Sequence, residues 1–143
     1  MERMDDFVKQ MQDTFASNNA AVYAWCVLTN HYHVLATTPD LPLLVASLGK
    51  VHGRMSFAWN AEETSRGRIC WHRTTDRAMR SESHFWTTVN YIHHNPVKHG
   101  HASKWTEWPW SSAHDYLQEK GRETATRIWK AYPILDYGVK WDD

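Results

Sequence analysis

Residues 20–37 read AAVYAWCVLTNHYHVLAT, and this stretch decides the fold class. Residues 20–28 are apolar and rich in aromatic and branched side chains, Thr29 and Asn30 interrupt them, and a second run begins at His31. Two short runs separated by turn-forming residues predict a pair of strands joined by a tight turn. Helical patterns flank this pair on both sides, so we predict an α+β fold in which helices pack on a small, mainly antiparallel sheet.

The predicted helices follow from apolar side chains at three- and four-residue intervals. One helix is expected from near Asp5 to Ser17, and a second over residues 44–59 with Pro42 in its first turn. A third is expected to start near Ser81 and to end near Asn95, because a proline disfavours a helical conformation in the residue before it. Three further elements are predicted: a short strand at residues 68–72 (RICWH), a helix from about Ser111 and a helix over residues 122–131.

Length and composition indicate one domain over residues 1–143, with a tryptophan-rich C-terminal tail from about residue 105 to residue 143. No run approaches the roughly 18 apolar residues of a membrane span, and the acidic start MERMDDFVKQ is unlike a signal peptide. The 2 cysteines form no CxxC motif and no disulfide framework. We therefore expect a cytoplasmic protein without membrane contact.

The charge of the chain is balanced overall but uneven along it. Lys plus Arg and Asp plus Glu are 16 each, whereas residues 41–104 hold 9 basic against 4 acidic side chains. A basic middle between acidic flanks is compatible with an anionic ligand held on one part of the surface. The candidate DNA-binding cations are Lys50, Arg54, Arg66, Arg68, Arg73, Arg77, Arg80 and Lys98. Trp105, Trp108 and Trp110 could stack on bases, although packing on the domain is the favoured interpretation.

Two histidines stand two residues apart in the second predicted strand. Residues at this spacing point to the same face of a strand, so His31 and His33 present their imidazoles side by side. Such a pair can share one metal ion if a third ligand converges on it, and otherwise consists of ordinary half-buried histidines. The pair alone does not decide between these interpretations.

Tyr91 and Asn95 are the second pair of candidate site residues. They are four residues apart and share one face of the predicted third helix, beside the apolar position Ile92. We expect both at the border between core and solvent, where a reactive group could lie. Each also has an ordinary explanation, since Tyr91 could be a core tyrosine and Asn95 a helix-ending residue before Pro96.

The two pairs occur within motifs that resemble a known family. The run LTNHYHVLA, residues 28–36, resembles the strand motif of the HUH endonuclease superfamily. The runs YIHHNPVKHG, residues 91–100, and WPWSSAHDY, residues 108–116, are similar to the signature of the REP-associated tyrosine transposases, and the resemblance covers roughly residues 5–118. It implies a ferredoxin-like fold, a nucleophile at Tyr91, and Mg²⁺ or Mn²⁺ held by His31, His33 and Asn95. His94, one turn after Tyr91, is the alternative third ligand.

The implied activity is nicking and rejoining of single-stranded or hairpin-containing repeat DNA through a 5′-phosphotyrosine intermediate. A tyrosine with a pKa of about 10 is a poor nucleophile at neutral pH, so it needs activation by a metal or a base. Two alternatives remain: a domesticated, non-catalytic DNA-binding module of the same fold, and a histidine-ligated zinc hydrolase. Relatives of this kind carry a strand ahead of the first helix, which we expect to be missing here. A monomer is favoured over a homodimer.

Overall fold

The computed structural model describes residues 2–62, 76–135 and 137. Within them, helices and a two-stranded antiparallel sheet confirm the α+β prediction. The chain divides into two compact units, the first formed by residues 1–21 and 36–76 and the second by residues 22–35 and 77–143. In chain order the elements are α1 (Glu2–Ser17), β1 (Ala21–Val27), β2 (Tyr32–Thr37), α2 (Leu41–Glu62), α3 (Glu82–Lys98), α4 (Ala113–Lys120) and α5 (Arg122–Ala131).

The first unit is built on the packing of α1 against α2. The predicted stripe of α1 is buried at Phe7, Met11 and Phe15, and α2 buries four side chains at helical spacing, Leu44, Leu48, Val51 and Met55. Gln10 and Met55 connect the two helices through a hydrogen bond of 3.3 Å from Nε2 to Sδ. The unit is therefore held mainly by apolar burial between two amphipathic helices.

Helix α2 begins at Leu41, slightly before the predicted start at Leu44. The Asp40 carboxylate accepts a hydrogen bond of 3.1 Å from the backbone N–H of Leu43, which satisfies one of the free donors of the first turn. Pro42 lies in that turn, as predicted. The sequence signal that the prediction missed is Asp40, the residue directly before the helix.

The second unit contains most of the hairpin of β1 and β2. A hydrogen bond of 2.8 Å from the Leu28 N–H to the His31 carbonyl closes the predicted turn. The other edge of β1 pairs with the WPWSS segment, because the Val27 N–H donates to the Trp110 carbonyl at 2.9 Å and Cys26 and Ser111 form an antiparallel bridge. This part of the predicted tail therefore extends the hairpin.

Helix α3 runs through the middle of the second unit. Its N-cap is Ser81, as predicted, and the Ser81 Oγ accepts a hydrogen bond of 3.0 Å from the His84 N–H. The predicted end near Asn95 is wrong, since α3 continues through Pro96 to Lys98. Proline disfavours but does not forbid helical backbone before it, and in the last turn its missing N–H removes only one hydrogen bond.

Helices α4 and α5 pack beside α3 and complete the core. Gly121 joins them with φ 84° and ψ 154°, a conformation that glycine adopts readily and residues with a Cβ rarely adopt. The Asn90 side chain ties α3 to the end of α5 through hydrogen bonds of 3.2 and 3.0 Å to the carbonyls of Ile128 and Tyr132. The core cluster comprises Ala24, Cys26, Leu28, Leu35, Val89, Tyr91, Ile92, Tyr116 and Ala125.

The predicted strand at residues 68–72 lies outside the described residues. Among the helices of the described ranges, none has the length and apolar character needed to cross a membrane.

Candidate active site

The two histidines of the hairpin lie together, as the strand alternation predicts. His31 is the last residue of the turn and His33 is the second residue of β2. Their ring centroids are 5.2 Å apart, and the two ring planes are nearly perpendicular. The Nδ1 atom of His31 is 2.7 Å from the Asn30 side-chain oxygen, which fixes the orientation of the imidazole. The hairpin thus brings two imidazoles to one small site.

Helix α3 places Tyr91 beside this pair. The centroids of the Tyr91 and His33 rings are 5.4 Å apart, with an edge-to-face angle of 76°. This contact brings together residues from two of the motifs quoted above. The HxH pair and the helix tyrosine therefore lie side by side in the fold.

Tyr91 and Asn95 are not at the border of the core, and this prediction from the helical pattern is wrong. Tyr91 is 1% exposed and Asn95 is 0% exposed. The reason is that helix periodicity shows which residues share a face but not which distant segments cover that face. Here Tyr137 covers it in part, with its ring centroid 5.7 Å from that of Tyr91. The Tyr137 hydroxyl is in turn hydrogen-bonded to Thr88 and His84.

The end of α3 adds two residues to the site. The Lys98 Nζ lies 5.1 Å from the centroid of the Tyr91 ring, and Lys98 itself is exposed. The His99 ring lies 5.1 Å from the His31 ring. His99 had no role in the sequence analysis, although it follows Asn95 by one helical turn and so shares its face.

The donors at this site fit a divalent metal ion by their chemistry. His31 Nε2 and Asn95 Oδ1 are both buried from solvent, and imidazole nitrogen and amide oxygen both ligate divalent metals. Across residues 2–62, 76–135 and 137, no group of three His, Cys, Asp or Glu side chains is arranged to hold a metal. Within that part of the chain, a third ligand beside His31 and His33 would be of another kind, and the buried Asn95 amide oxygen is a ligand of such a kind. His94 instead packs against Trp129, with ring centroids 5.0 Å apart.

The predicted DNA-binding cations are distributed over both units. Lys50 and Arg54 lie on α2, where Arg54 donates to the Gln10 side chain at 3.3 Å, and Arg77 and Arg80 precede α3. Arg66, Arg68 and Arg73 lie outside the described residues. Of the eight predicted cations, the structure places Lys98 directly at Tyr91.

The tryptophans of the tail pack on the second unit, as the favoured interpretation expects. Trp108 donates from Nε1 to the Val27 carbonyl at 2.8 Å, and Trp105 and Trp108 pack on the core cluster. Beside them, the Ser112 Oγ accepts from the Trp25 N–H at 2.9 Å and lies 2.7 Å from His93 Nε2. Burial lowers the pKa of His93 to about 4, so this histidine is neutral at pH 7.

Comparison of the whole fold identifies a solved structure with the same fold. The structure matches that of a REP-associated tyrosine transposase bound to a REP hairpin with a TM-score of 0.64, over 82% of this chain and 68% of the other. The two sequences are 22% identical, so the match shows a shared fold. No protein-family model matches the chain.

Two curated relatives carry the same family name as the protein in that solved structure. A REP-associated tyrosine transposase of Escherichia coli is 28% identical in an alignment of 99 residues that covers 65% of this chain. A provisionally named REP-associated tyrosine transposase of Haemophilus influenzae is 28% identical in an alignment of 101 residues that covers 64% of this chain. The resemblance drawn from the three motifs is thereby confirmed. The matched regions cover only 54% and 57% of the lengths of these relatives.

Proposed function

We propose that the protein is a metal-dependent single-strand DNA endonuclease and transposase that nicks and rejoins hairpin-containing DNA in the cytoplasm. The observation that carries the proposal is the contact of Tyr91 with His33 of the HxH pair, 5.4 Å between ring centroids, on the fold of a hairpin-bound transposase. A tyrosine beside two imidazoles and an exposed lysine is suited to phosphoryl transfer, because it combines a nucleophile with ligands and a cation. The names of the curated relatives support the same reaction class.

In the proposed reaction, Tyr91 is the nucleophile. Its oxygen forms a bond to a DNA phosphorus, the bond from that phosphorus to the 3′ oxygen breaks, and the 3′ oxygen receives a proton. The tyrosine hydroxyl proton is given up to solvent or to a neighbouring base. The products are a 5′-phosphotyrosine and a free 3′-hydroxyl. Attack of a 3′-hydroxyl on the same phosphorus reverses the step and rejoins a strand without an external energy source.

His31, His33 and Asn95 would hold the metal in this proposal. Mg²⁺ or Mn²⁺ is the ion that the resemblance implies, while two imidazole ligands also suit Zn²⁺ or Ni²⁺. When bound, such an ion supplies Lewis-acid polarisation of the phosphate oxygen. The chain itself holds the ligand side chains in place. The Asn30 side chain orients the His31 imidazole, and the Asn95 side chain is fully buried in the core.

Lys98 would bind the phosphate beside Tyr91. Its ammonium lies 5.1 Å from the Tyr91 ring and is carried by an exposed side chain, so it can attract a DNA phosphate to the nucleophile. Tyr91 itself is 1% exposed. In the proposed reaction the contacts that cover Tyr91 open before the phosphate reaches the hydroxyl, and the contact with Tyr137 is one of them.

Covalent capture of DNA tests the proposal. A single-stranded hairpin oligonucleotide labelled at its 3′ end is incubated with the protein and Mg²⁺ or Mn²⁺, and the adduct is resolved on a denaturing gel. We expect an adduct with the wild-type chain and none with Tyr91→Phe or after metal chelation, while the Tyr91→Phe variant still binds the oligonucleotide. Tyr32→Phe is the matched control, because Tyr32 lies between the two histidines and should keep the adduct.

Two results would contradict the proposal. An adduct that persists in Tyr91→Phe would assign the nucleophile to another residue. Tight oligonucleotide binding by the wild-type chain without any adduct, both with Mg²⁺ and with Mn²⁺, would instead support a non-catalytic DNA-binding module.

A further inference from the structure

A cavity of about 570 Å³ lies in the second unit, apart from the site of Tyr91 and the hairpin histidines. Its lining comes from α3, from residues 103–106 and from α4 and α5, and it does not include Tyr91, His31 or His33. The volume falls within the range of about 300–1,000 Å³ that is typical of sites for small molecules. The cavity is therefore large enough for a ligand with one or two rings.

Large aromatic side chains form much of the cavity wall. Trp105, Tyr116 and Trp129 all line it, and Trp129 is 41% exposed although it is large and apolar. Trp105 and Tyr116 are in edge contact, with ring centroids 6.3 Å apart. Flat aromatic walls bind flat ring systems by stacking, and nucleobases are ligands of this shape.

Two of the lining residues, His93 and Tyr116, carry buried hydrogen-bonding atoms. His93 is 2% exposed, and its ring is held by the contact of 2.7 Å between Nε2 and the Ser112 Oγ. Its other nitrogen, Nδ1, and the Tyr116 hydroxyl are buried without a hydrogen-bond partner among the described residues. Buried polar atoms normally have a partner, since leaving one unpaired costs about 1–3 kcal/mol. A ligand with polar ring atoms would supply that partner.

Two cationic side chains line the cavity. Lys104 and Arg122 line it and are exposed, and no Asp or Glu is found among the described lining residues. The loop that carries Lys104 and Trp105 is held by Ser103, whose hydroxyl donates to the Glu107 carboxylate at 3.0 Å. Cations in the lining of an aromatic pocket favour a ligand whose flat part bears an anionic group.

We propose that this cavity is a nucleotide-binding site, with the base against the tryptophans and hydrogen-bonded to His93 and Tyr116, and the phosphate held by Lys104 and Arg122. An unpaired nucleotide of a DNA strand and a free mononucleotide both carry the base and the phosphate that this site would bind. The site does not depend on the reaction at Tyr91, so its test is independent of nicking.

Isothermal titration of the full chain with each of the four 2′-deoxynucleoside 5′-monophosphates tests the site, with 2′-deoxyribose 5-phosphate as the ligand that lacks a base. We expect saturable binding of at least one nucleotide and at least tenfold weaker binding of the sugar phosphate. Trp129→Ala and Arg122→Gln should each weaken nucleotide binding at least tenfold. Both positions are at the surface, and Lys130→Gln on the same helix is the matched control that should bind as the wild type does.

The source of the nucleotide is distinguished by competition. A single-stranded oligonucleotide that displaces the mononucleotide, and that binds Trp129→Ala more weakly than wild type, assigns the site to DNA. An oligonucleotide that does not displace the mononucleotide and binds Trp129→Ala as tightly as wild type assigns the site to a free nucleotide. The titration is repeated with Tyr91→Phe, in which nucleotide binding should persist even though the adduct is lost. Absence of saturable nucleotide binding, together with equal oligonucleotide affinity in wild type, Trp129→Ala and Arg122→Gln, would overturn the inference.

Discussion

Replacing Ser112 with alanine should destabilise the second unit far more than the same change at its neighbour Ser111. The Ser112 Oγ accepts from the Trp25 N–H at 2.9 Å, bonds His93 Nε2 at 2.7 Å, and lies 3.3 Å from the Trp25 carbonyl. One hydroxyl therefore connects β1, the WPWSS segment and α3. Ser112 is 9% exposed, so water cannot readily replace the lost contacts.

The expected magnitude follows from the groups left without a partner. Ser112→Ala leaves the Trp25 N–H and His93 Nε2 without this hydrogen-bond partner, each at a cost of about 1–3 kcal/mol, so we expect a loss of about 2–6 kcal/mol. Ser111→Ala removes one local hydrogen bond, the 3.1 Å contact from the Ala113 N–H to the Ser111 Oγ. That variant should lose only about 1 kcal/mol.

Urea denaturation followed by tryptophan fluorescence and by circular dichroism measures the difference. With a mid-range slope of about 2 kcal/mol/M, Ser112→Ala should lower the midpoint by roughly 1–3 M and leave the slope unchanged. If Ser112→Ala and Ser111→Ala unfold within about 0.5 kcal/mol of each other, the hydroxyl does not hold the three segments together and the reasoning is refuted.

Three further outcomes are expected. Lys98→Glu should weaken the binding of single-stranded DNA, measured by fluorescence anisotropy, and should reduce the dependence of that binding on salt. Lys120→Glu is the control, because it removes a similar contact of a lysine with an aromatic ring, at 5.6 Å, and should change DNA binding little. Burial lowers the pKa of His93 from 6.5 to about 4, so the unfolded chain binds a proton at this residue more readily than the folded chain does. The contribution of His93 to the free energy of unfolding, at most about 3 kcal/mol, is therefore present above pH 6.5 and is lost as the pH falls toward 4. Urea midpoints at pH 7 and pH 5 should show this loss in the wild type and less of it in His93→Gln. Tyr137→Ala should uncover Tyr91 and speed adduct formation on a gel, and an unchanged rate would show that opening of this contact does not limit access.

The local elements were within reach of the sequence because short-range patterns determine them. Two short runs interrupted by Thr29 and Asn30 predicted the hairpin, and α3 was predicted to start near Ser81, which is its N-cap. The spacing of His31 and His33 placed two imidazoles together, since strand geometry fixes which side chains share a face. The three motifs together identified the resemblance that the comparisons confirm.

The tertiary structure alone decided burial and the contacts between distant segments. Helix periodicity put Tyr91 and Asn95 on one face, but only packing showed that this face is covered in part by Tyr137. The same holds for Ser112, whose hydroxyl meets a strand 87 residues away, and for the cavity, whose walls come from three helices and a loop. Spacing along the chain reports the direction of a side chain relative to its own element. Which other elements lie in that direction depends on the docking of the whole chain, and no local pattern encodes it.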